Sequence, residues 1–292
     1  MKKVRAIVAA LAAVFTMGLV ASTGCGNLVS YDRYENAELY SVGTASVSAE
    51  SVEKIEIDWV GGGIEVEQTA SKTVQVIEER SSEKDAERMH YYLDGKVLKI
   101  KYCESGLRGT VNERNKNLFV EIPAGISLEI DSVSAGITLG VLNVNDLSIE
   151  SVSGNVTAER IVSEETEVET VSGKVSVGEL ITSKLSLDGV SGGVEITRLS
   201  TDFLEMEMVS GDVSLGVQKA LSAEIESVSA DVTITLREGL GATIEMKTTS
   251  GKFSTKKEFG KTGSRYDVFG EDGASVDCSF KIETTSGDVI VR

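Results

Sequence analysis

Eight serines recur between residues 134 and 286, each preceded by valine or threonine and followed by glycine or alanine. A serine on a tight turn can act as a nucleophile, but its hydroxyl then needs a general base beside it. The chain has a single histidine, His90, and eight equivalent serines cannot share it. We therefore interpret the serines as structural corners. They are Ser134, Ser153, Ser172, Ser191, Ser210, Ser229, Ser250 and Ser286.

The residue before each serine marks an internal repeat. Valine recurs there in six copies separated by five steps of 19 residues, and the pattern continues less regularly as Thr249 and Thr285. An early, cruder copy is centred on Val60. Self-similarity at a fixed short period is typical of stacked repeat proteins. The six regular copies are Val133, Val152, Val171, Val190, Val209 and Val228.

Apolar residues keep constant offsets from this corner. In one unit, Leu185 and Leu187 precede it and Val194 and Ile196 follow it, with Leu199 as a third inward point. A spacing of two on each side predicts two short strands that each bury one face. One such unit is too small to fold alone, so neighbouring units must stack and share an interior.

The predicted fold is therefore all-β: a single-chain parallel β-solenoid with coils of about 19 residues. An antiparallel β-sandwich is the competing architecture. A sandwich does not require the same spacing in successive strand pairs, and the constant period favours the solenoid. At the corner, glycine follows serine in six copies but Ala135 and Ala230 occur in two. This variation indicates a need for small residues in a crowded bend, where each serine can hydrogen-bond to the backbone.

Acidic residues occupy the second position before the corner, where the alternation directs side chains outward. Lys247 is the exception to this column. A solvated, aggregation-resistant surface is one interpretation. The alternative is that carboxylate oxygens collect Ca²⁺ in loose, superficial sites; we expect no other cofactor. The acidic members are Asp58, Asp131, Glu150, Glu169, Asp188, Glu207, Glu226 and Glu283.

The beginning of the chain has the pattern of an export signal. Residues 1–24 comprise a basic start, an apolar run and small residues that precede Cys25. This ending resembles the bacterial lipobox, which implies that Cys25 carries a lipid and that the protein is anchored to the outside of a bacterial cell membrane. An uncleaved membrane anchor is the alternative. Residues 25–50 are expected to form a tether that ends in a first strand.

Residues 51–122 are expected to form a first coil and a cap that covers the open end of the solenoid, with repeats over 123–292. The cap should contain strands at Thr73 to Glu78, in GKVLKIKY and in NLFVEI. A short helix is expected in SSEKDAERMHYY, with Ser81 or Ser82 as its cap. Cys103 and Cys278 lie near opposite ends of the repeats, so two buried free thiols are favoured over a disulfide.

Charge limits the possible partners. Removal of residues 1–24 takes away three basic residues and leaves 26 Lys and Arg against 46 Asp and Glu, a net charge of −20. Such a body should repel nucleic acid and anionic lipid head groups.

The chain resembles the DUF4097 family of bacterial envelope proteins, which are described as adhesins with strand repeats. IEIDWVGGGIEVE, the V-S-G-x-V-x-V-like units between Val133 and Leu236, and the closing TTSGDVIV carry the resemblance. It spans roughly residues 50–292, and it implies a surface-exposed β-solenoid associated with adhesion or envelope-stress systems. It supplies no catalytic residues.

Three function classes follow. We expect a non-catalytic binding or adhesion module whose ligand is a glycan or a protein, because a rigid repetitive rod suits multivalent weak contact. The second is an accessory protein that binds a membrane partner in the envelope. The third is a polysaccharide-active enzyme, which the sequence disfavours because Trp59 is the only tryptophan and the basic residues are scattered.

Overall fold

The computed structural model describes residues 31–79, 82–108, 116–219, 221–270 and 277–292. These ranges form 26 strands and three 3₁₀ turns, the turns at Ala37–Leu39, Ala49–Ser51 and Asp85–Glu87. The first strands are β1 (Ser41–Val42), β2 (Ala45–Ser48), β3 (Lys54–Trp59), β4 (Gly63–Gln68), β5 (Thr73–Glu79), β6 (His90–Asp94), β7 (Val97–Lys101) and β8 (Asn117–Ile122).

The remaining strands belong mainly to the repeats. The regular coils contain β9 (Ser127–Ser132), β10 (Gly136–Asn143), β11 (Asp146–Ser151), β12 (Val156–Val162), β13 (Glu165–Thr170), β14 (Val175–Ile181), β15 (Lys184–Gly189), β16 (Val194–Ser200), β17 (Phe203–Met208), β18 (Val213–Val217), β19 (Ser222–Ser227) and β20 (Val232–Leu236). The last strands are β21 (Ala242–Thr248), β22 (Phe253–Thr255), β23 (Phe259–Thr262), β24 (Arg265–Val268), β25 (Cys278–Thr284) and β26 (Val289–Val291).

Successive regular coils pair in parallel with an offset of 19 residues. Glu150 lies opposite Glu169 between β11 and β13, and Val156 lies opposite Val175 between β12 and β14. The strands before the corners belong to a 14-stranded sheet and those after them to a 12-stranded sheet. The predicted parallel β-solenoid is confirmed, because a sandwich would pair consecutive strands antiparallel.

The two sheets enclose one apolar interior. Within one coil, Leu147 and Ile149 point inward from β11, and Val156 and Ile161 point inward from β12. The long strands of the second sheet bend between their inward residues: the ladder passes from Leu139 to Val141 and skips the residue between them. This bend allows the third inward residue of the strand, such as Ile161, to face the core although it lies three residues after the second one.

The order of coils along the rod differs from the order in the sequence at both ends. In the rod, the coil β3/β4 lies between β7/β8 and β9/β10. In the chain, by contrast, β7 and β8 come after β3/β4 and before β9/β10. At the other end, β25/β26 inserts between β19/β20 and β21/β22. At the N-terminal end, the chain forms β3/β4 first and adds β7/β8 on its outer side after the antiparallel strands β5 and β6. At the other end, the chain forms the antiparallel strands β23 and β24 and then returns to insert β25/β26.

The N-terminal cap contains the expected strands, but its helix is only one 3₁₀ turn, Asp85–Glu87. His90 begins β6, since antiparallel pairing with β7 places the histidine and the tyrosines after it in a sheet. Ser81 lies outside the described residues. Ser82 does not cap the turn; its Oγ accepts a hydrogen bond from the backbone N–H of Lys84, at 3.2 Å.

The expected tether is packed against the body from residue 31 onward. Tyr31 is 5% exposed, and its backbone N–H donates to the carbonyl of Leu107 at 2.9 Å. β1 pairs with β6, and β2 pairs with β5. These strands cover sheet edges that would otherwise leave backbone groups without partners. Cys103 and Cys278 are both free and buried, and no helix in the described ranges is long and apolar enough to cross a membrane.

Candidate binding surface at the coil corners

The corner serines bind neighbouring coils together. The Oγ of Ser172 donates to the carbonyl of Val152 at 3.1 Å, and the backbone N–H of Ser172 reaches the same oxygen at 3.0 Å. All eight corner serines make the equivalent side-chain bond to the next coil, between 2.9 and 3.4 Å. Their hydroxyl protons are therefore used in stacking. His90 is also engaged, because its Nδ1 lies 3.0 Å from the carbonyl of Arg88.

Close contact between coils explains the small residue after each serine. A Cβ placed on Gly173 would lie 2.0 Å from the carbonyl oxygen of Gly154, and one on Gly192 would lie 1.9 Å from that of Gly173. Only Gly211 among the corner glycines has a positive φ, of 113°. A small residue is thus required at this corner mainly because the backbone of the adjacent coil is so close, and not because the residue must adopt a left-handed conformation.

The eight acidic residues of the column form one continuous series, which we call the acidic ladder. Each member lies directly opposite the next on the neighbouring strand of the first sheet. Neighbouring strands are about 4.8 Å apart, so the carboxylates lie close to others of the same charge. In order along the rod, they are Asp58, Asp131, Glu150, Glu169, Asp188, Glu207, Glu226 and Glu283.

A lysine lies at each end of the acidic ladder. Lys101 on β7 lies opposite Asp58 and forms an ion pair with it. Lys247 on β21 lies opposite Glu283, and its Nζ is 2.9 Å from the Glu283 carboxylate. The terminal carboxylates are therefore neutralised by the protein's own cations, whereas the interior ones face each other.

The pKa values of the interior carboxyls reflect this crowding. Burial, reinforced by Asp58 and Glu150, raises the pKa of Asp131 to about 7. Burial and the charges of Glu150 and Asp188 raise the pKa of Glu169 to about 7. At neutral pH, a part of the ladder is thus protonated, because burial and the neighbouring carboxylates both disfavour the ionised form.

The ladder does not provide the geometry of a cation site. Within the described ranges, no group of three or more His, Cys, Asp or Glu side chains is arranged to hold a metal ion. Parallel stacking spreads the carboxylates along a line, whereas Ca²⁺ requires six to eight oxygens around one point. The calcium interpretation therefore gains no geometric support.

An open groove of about 290 Å³ lies beside the ladder at the N-terminal end of the rod. We call it the N-terminal groove. Its lining combines the segments 31–34 and 101–104 with the first three carboxylates of the ladder and with four corner valines. These ladder and valine residues are Asp58, Asp131, Glu150, Val60, Val133, Val152 and Val171.

Local contacts hold the segments 31–34 and 101–104, which line the N-terminal groove, in place. The Tyr34 hydroxyl donates to the carbonyl of Cys103 at 3.1 Å, and the Tyr34 N–H donates to Ser105 Oγ at 3.0 Å. The Tyr31 and Tyr102 rings stack with their centroids 5.7 Å apart. Burial raises the pKa of the Cys103 thiol to about 12, so this cysteine stays protonated and is a poor nucleophile.

Comparison with known proteins agrees with this architecture. The family model described as "Toastrack DUF4097" matches residues 52–292. The chain belongs to the DUF4097 toastrack family. Among solved structures, it is similar to a protein described as a "putative adhesin" from Bacteroides fragilis, with a TM-score of 0.53 and 13% identity over 86% of this chain and 97% of that one.

A second "putative adhesin", from Parabacteroides distasonis, has a TM-score of 0.48 and 14% identity over 86% of this chain and 97% of that one. The identities are low, so the likeness to the Bacteroides fragilis protein concerns the fold alone. No curated protein matches the chain.

Sequence reasoning identified every member of the acidic ladder in this DUF4097 chain but missed what surrounds it. Lys247 was recognised only as an exception to the column, and Lys101 was missed because β7 lies outside the 19-residue period. The N-terminal groove was also missed, since segment 31–34 was assigned to a tether. The tyrosines of that segment were the available signal, because scattered aromatics are unusual in a solvated linker.

Proposed function

We propose that this DUF4097 protein is a non-catalytic adhesion module, anchored to the outer face of a bacterial cell membrane through a lipid on Cys25. Cys25 lies outside the described residues, and the signal-like sequence of residues 1–24 supports the anchor. Labelling of cells with a palmitate analogue tests it. The intact chain should incorporate the label, and Cys25→Ser should abolish incorporation.

The observation that carries the binding role is the composition of the N-terminal groove. The carboxylates of Asp131 and Glu150 lie in register along it, next to the Asp58–Lys101 ion pair and beside a row of half-buried corner valines. A lysine or arginine side chain can pack its methylenes on the valines and place its charge against the carboxylates. The ligand class that fits best is therefore an extended basic segment of a protein.

Binding of such a cation would offset the burial and the repulsion from neighbouring carboxylates that raise the pKa of Asp131. The ladder continues beyond the groove with the same strand spacing, so several basic residues of one ligand can lie against it. Many weak contacts of this kind add up through avidity, which suits adhesion.

The absence of catalytic chemistry is part of the proposal. A hydrolase needs a nucleophile or an activated water with a base in hydrogen-bond reach. The corner serines and His90 are occupied with backbone carbonyls, and the thiol that lines the groove, Cys103, is held protonated by burial.

Fluorescence anisotropy with a labelled peptide of alternating lysine and valine tests the groove. We expect saturable binding that Asp131→Asn with Glu150→Gln weakens about tenfold, since each lost charge-assisted contact contributes about 1 kcal/mol or less at an accessible site. The control pair is Glu195→Gln with Asp202→Asn, which removes the same charge from side chains that are 52% and 55% exposed away from the groove. Equal effects of both pairs would assign binding to net charge alone and contradict the proposal.

An accessory role beside a membrane protein is the second candidate. The groove lies at the end of the rod where the chain enters, so an anchored molecule would hold it near its own membrane. Affinity capture from the native cells separates the two roles. One stoichiometric membrane protein lost with the Asp131→Asn, Glu150→Gln pair would favour the accessory role, whereas retention on the surfaces of other cells would favour adhesion.

A further inference from the structure

The far end of the rod is basic, although the molecule as a whole is acidic. Residues 247–265 contain six Lys and Arg but one acidic residue, Glu258, in a chain whose net charge is −17. This segment runs from the end of β21 through β22 and β23 to the start of β24, the last strands of the two sheets. We call residues 252–266 the distal tip.

Among the described residues, the four lysines of the distal tip have no ion-pair partner. Arg265 pairs with Asp267 at 2.8 Å, and nearby Lys247 pairs with Glu283. Within the part of the chain that the structure describes, no ion pair involves the remaining four lysines of the tip. They are Lys252, Lys256, Lys257 and Lys261.

An aromatic cluster lies among these lysines. Phe253 and Tyr266 stack with ring centroids 4.1 Å apart, and Phe259 meets Phe253 edge-on at 5.8 Å. Phe253 and Tyr266 pack against the buried core, but Phe259 stays 47% exposed on the edge strand β23. Lys261 lies over the Tyr266 ring, with its Nζ 4.8 Å from the centroid.

An exposed phenylalanine beside several lysines matches the chemistry of a membrane interface. An aromatic ring gains free energy by entering the boundary between head groups and acyl chains, and lysine stems lie along apolar surface while their ammonium groups reach phosphates. Each lysine near an anionic leaflet adds attraction that salt weakens. A soluble polyanion would use the lysines but offers Phe259 no apolar environment.

We propose that the distal tip binds the surface of an anionic lipid bilayer, with Phe259 at the interface and Lys256, Lys257 and Lys261 against head-group phosphates. The general repulsion expected from the net charge is weaker here, because screening limits charge effects to about 10 Å and the acidic ladder from Glu226 back to Asp58 lies three or more strands from β24. Glu258 is the one carboxylate within the tip itself. The first sheet has 14 strands, so the tip is about 60 Å from β1. A molecule held at its N-terminus would therefore present the tip to a second surface.

The test uses the full-length chain held by its N-terminal segment in phosphatidylcholine nanodiscs. Flotation measures its binding to phosphatidylcholine vesicles with and without phosphatidylglycerol. We expect binding only to the vesicles that contain phosphatidylglycerol, with affinity falling as salt rises. Lys256→Gln with Lys257→Gln should weaken binding about tenfold or more, and Phe259→Ser should weaken it a few-fold.

The matched control removes two lysines from the body of the rod, Lys174→Gln with Lys184→Gln, both 55% exposed. It makes the same change in net charge and should leave binding unchanged. Equal loss in both lysine pairs would overturn the proposal. So would an unchanged affinity of Phe259→Ser together with equally tight binding of soluble polyphosphate, which would assign the tip to a polyanion. Thermal melting verifies that each variant is folded, and the peptide assay of the N-terminal groove remains independent.

Discussion

The hydroxyl of Ser172 donates a hydrogen bond to the carbonyl of Val152, 3.1 Å away and one coil earlier. The same oxygen accepts the Ser172 backbone N–H at 3.0 Å. A carbonyl that accepts two bonds from one residue fixes the relative position of two coils at their sharpest bend. The corner thus contributes to stability. Substitutions there should lower the free energy of unfolding without abolishing a binding activity.

Ser172→Val should lower the free energy of unfolding by about 1 to 3 kcal/mol, because the valine cannot donate to Val152 and its branched side chain must occupy the corner. Ser172→Ala should cost about 1 kcal/mol, the usual net value of one hydrogen bond. Urea unfolding measures both. Ser176→Ala, on the outer face of β14, is the control and should change stability by less than about 0.5 kcal/mol. Equal effects at both serines would contradict the role of the corner bond.

Gly173→Ala should be more disruptive than Ser172→Ala. The added Cβ would lie 2.0 Å from the Gly154 carbonyl oxygen, so the two coils must separate locally. We expect a loss of about 2 kcal/mol or more. Gly136→Ala is the control, since no atom lies within 4 Å of its added Cβ; it should be neutral or slightly stabilising. Comparable melting temperatures for the two variants would show that the coils are not in tight contact here.

Stability should fall as pH rises from about 4.5 to about 7 through the acidic ladder. The pKa of Glu169 is raised from its usual 4.5 to about 7 in the folded protein. The folded state then binds more protons than the unfolded state in this window, so raising the pH favours unfolding. Urea midpoints between pH 5 and pH 8 measure the slope, and Glu169→Gln should reduce it.

Glu179→Gln is the control for this pH dependence. Hydrogen bonds from Arg160 and Arg198 lower the pKa of Glu179, so its contribution has the opposite sign. That contribution lies below about pH 4.5, so the removal of Glu179 should leave the slope between pH 5 and pH 8 unchanged. A slope that is unchanged in Glu169→Gln would show that the ladder does not govern the pH dependence.

Deletion of residues 289–292 should strongly destabilise the rod. β26 pairs with β20 on one side and β22 on the other, so its loss separates two strands of the second sheet. Hydrogen exchange should accelerate in β20 and β22 while β12 and β14 remain protected. Arg292→Ala keeps the strand and serves as the control. Unchanged exchange in β20 would mean that the inserted strand is dispensable.

The regular part of the fold follows directly from the sequence. A constant step of 19 residues places equivalent side chains at the same height of successive coils, so the strands, the acidic ladder and the corners could all be assigned in advance. Strand β8 was predicted with the bounds found in the structure, Asn117–Ile122. These features depend on local alternation and on a repeat, and both are visible in a single chain.

Only the tertiary structure decided how the irregular segments complete the rod. The position of β25/β26 depends on which coil surfaces match across distant parts of the chain, and no local period encodes that choice. No local period encodes the ion pair of Lys101 with Asp58 or the hydrogen bond of Tyr34 to the Cys103 carbonyl, which together shape the N-terminal groove. The sequence by itself determined a stacked, acidic solenoid, because equal spacing enforces register. Long-range packing decided where the stack is capped, where it opens into a groove and where its charge is reversed.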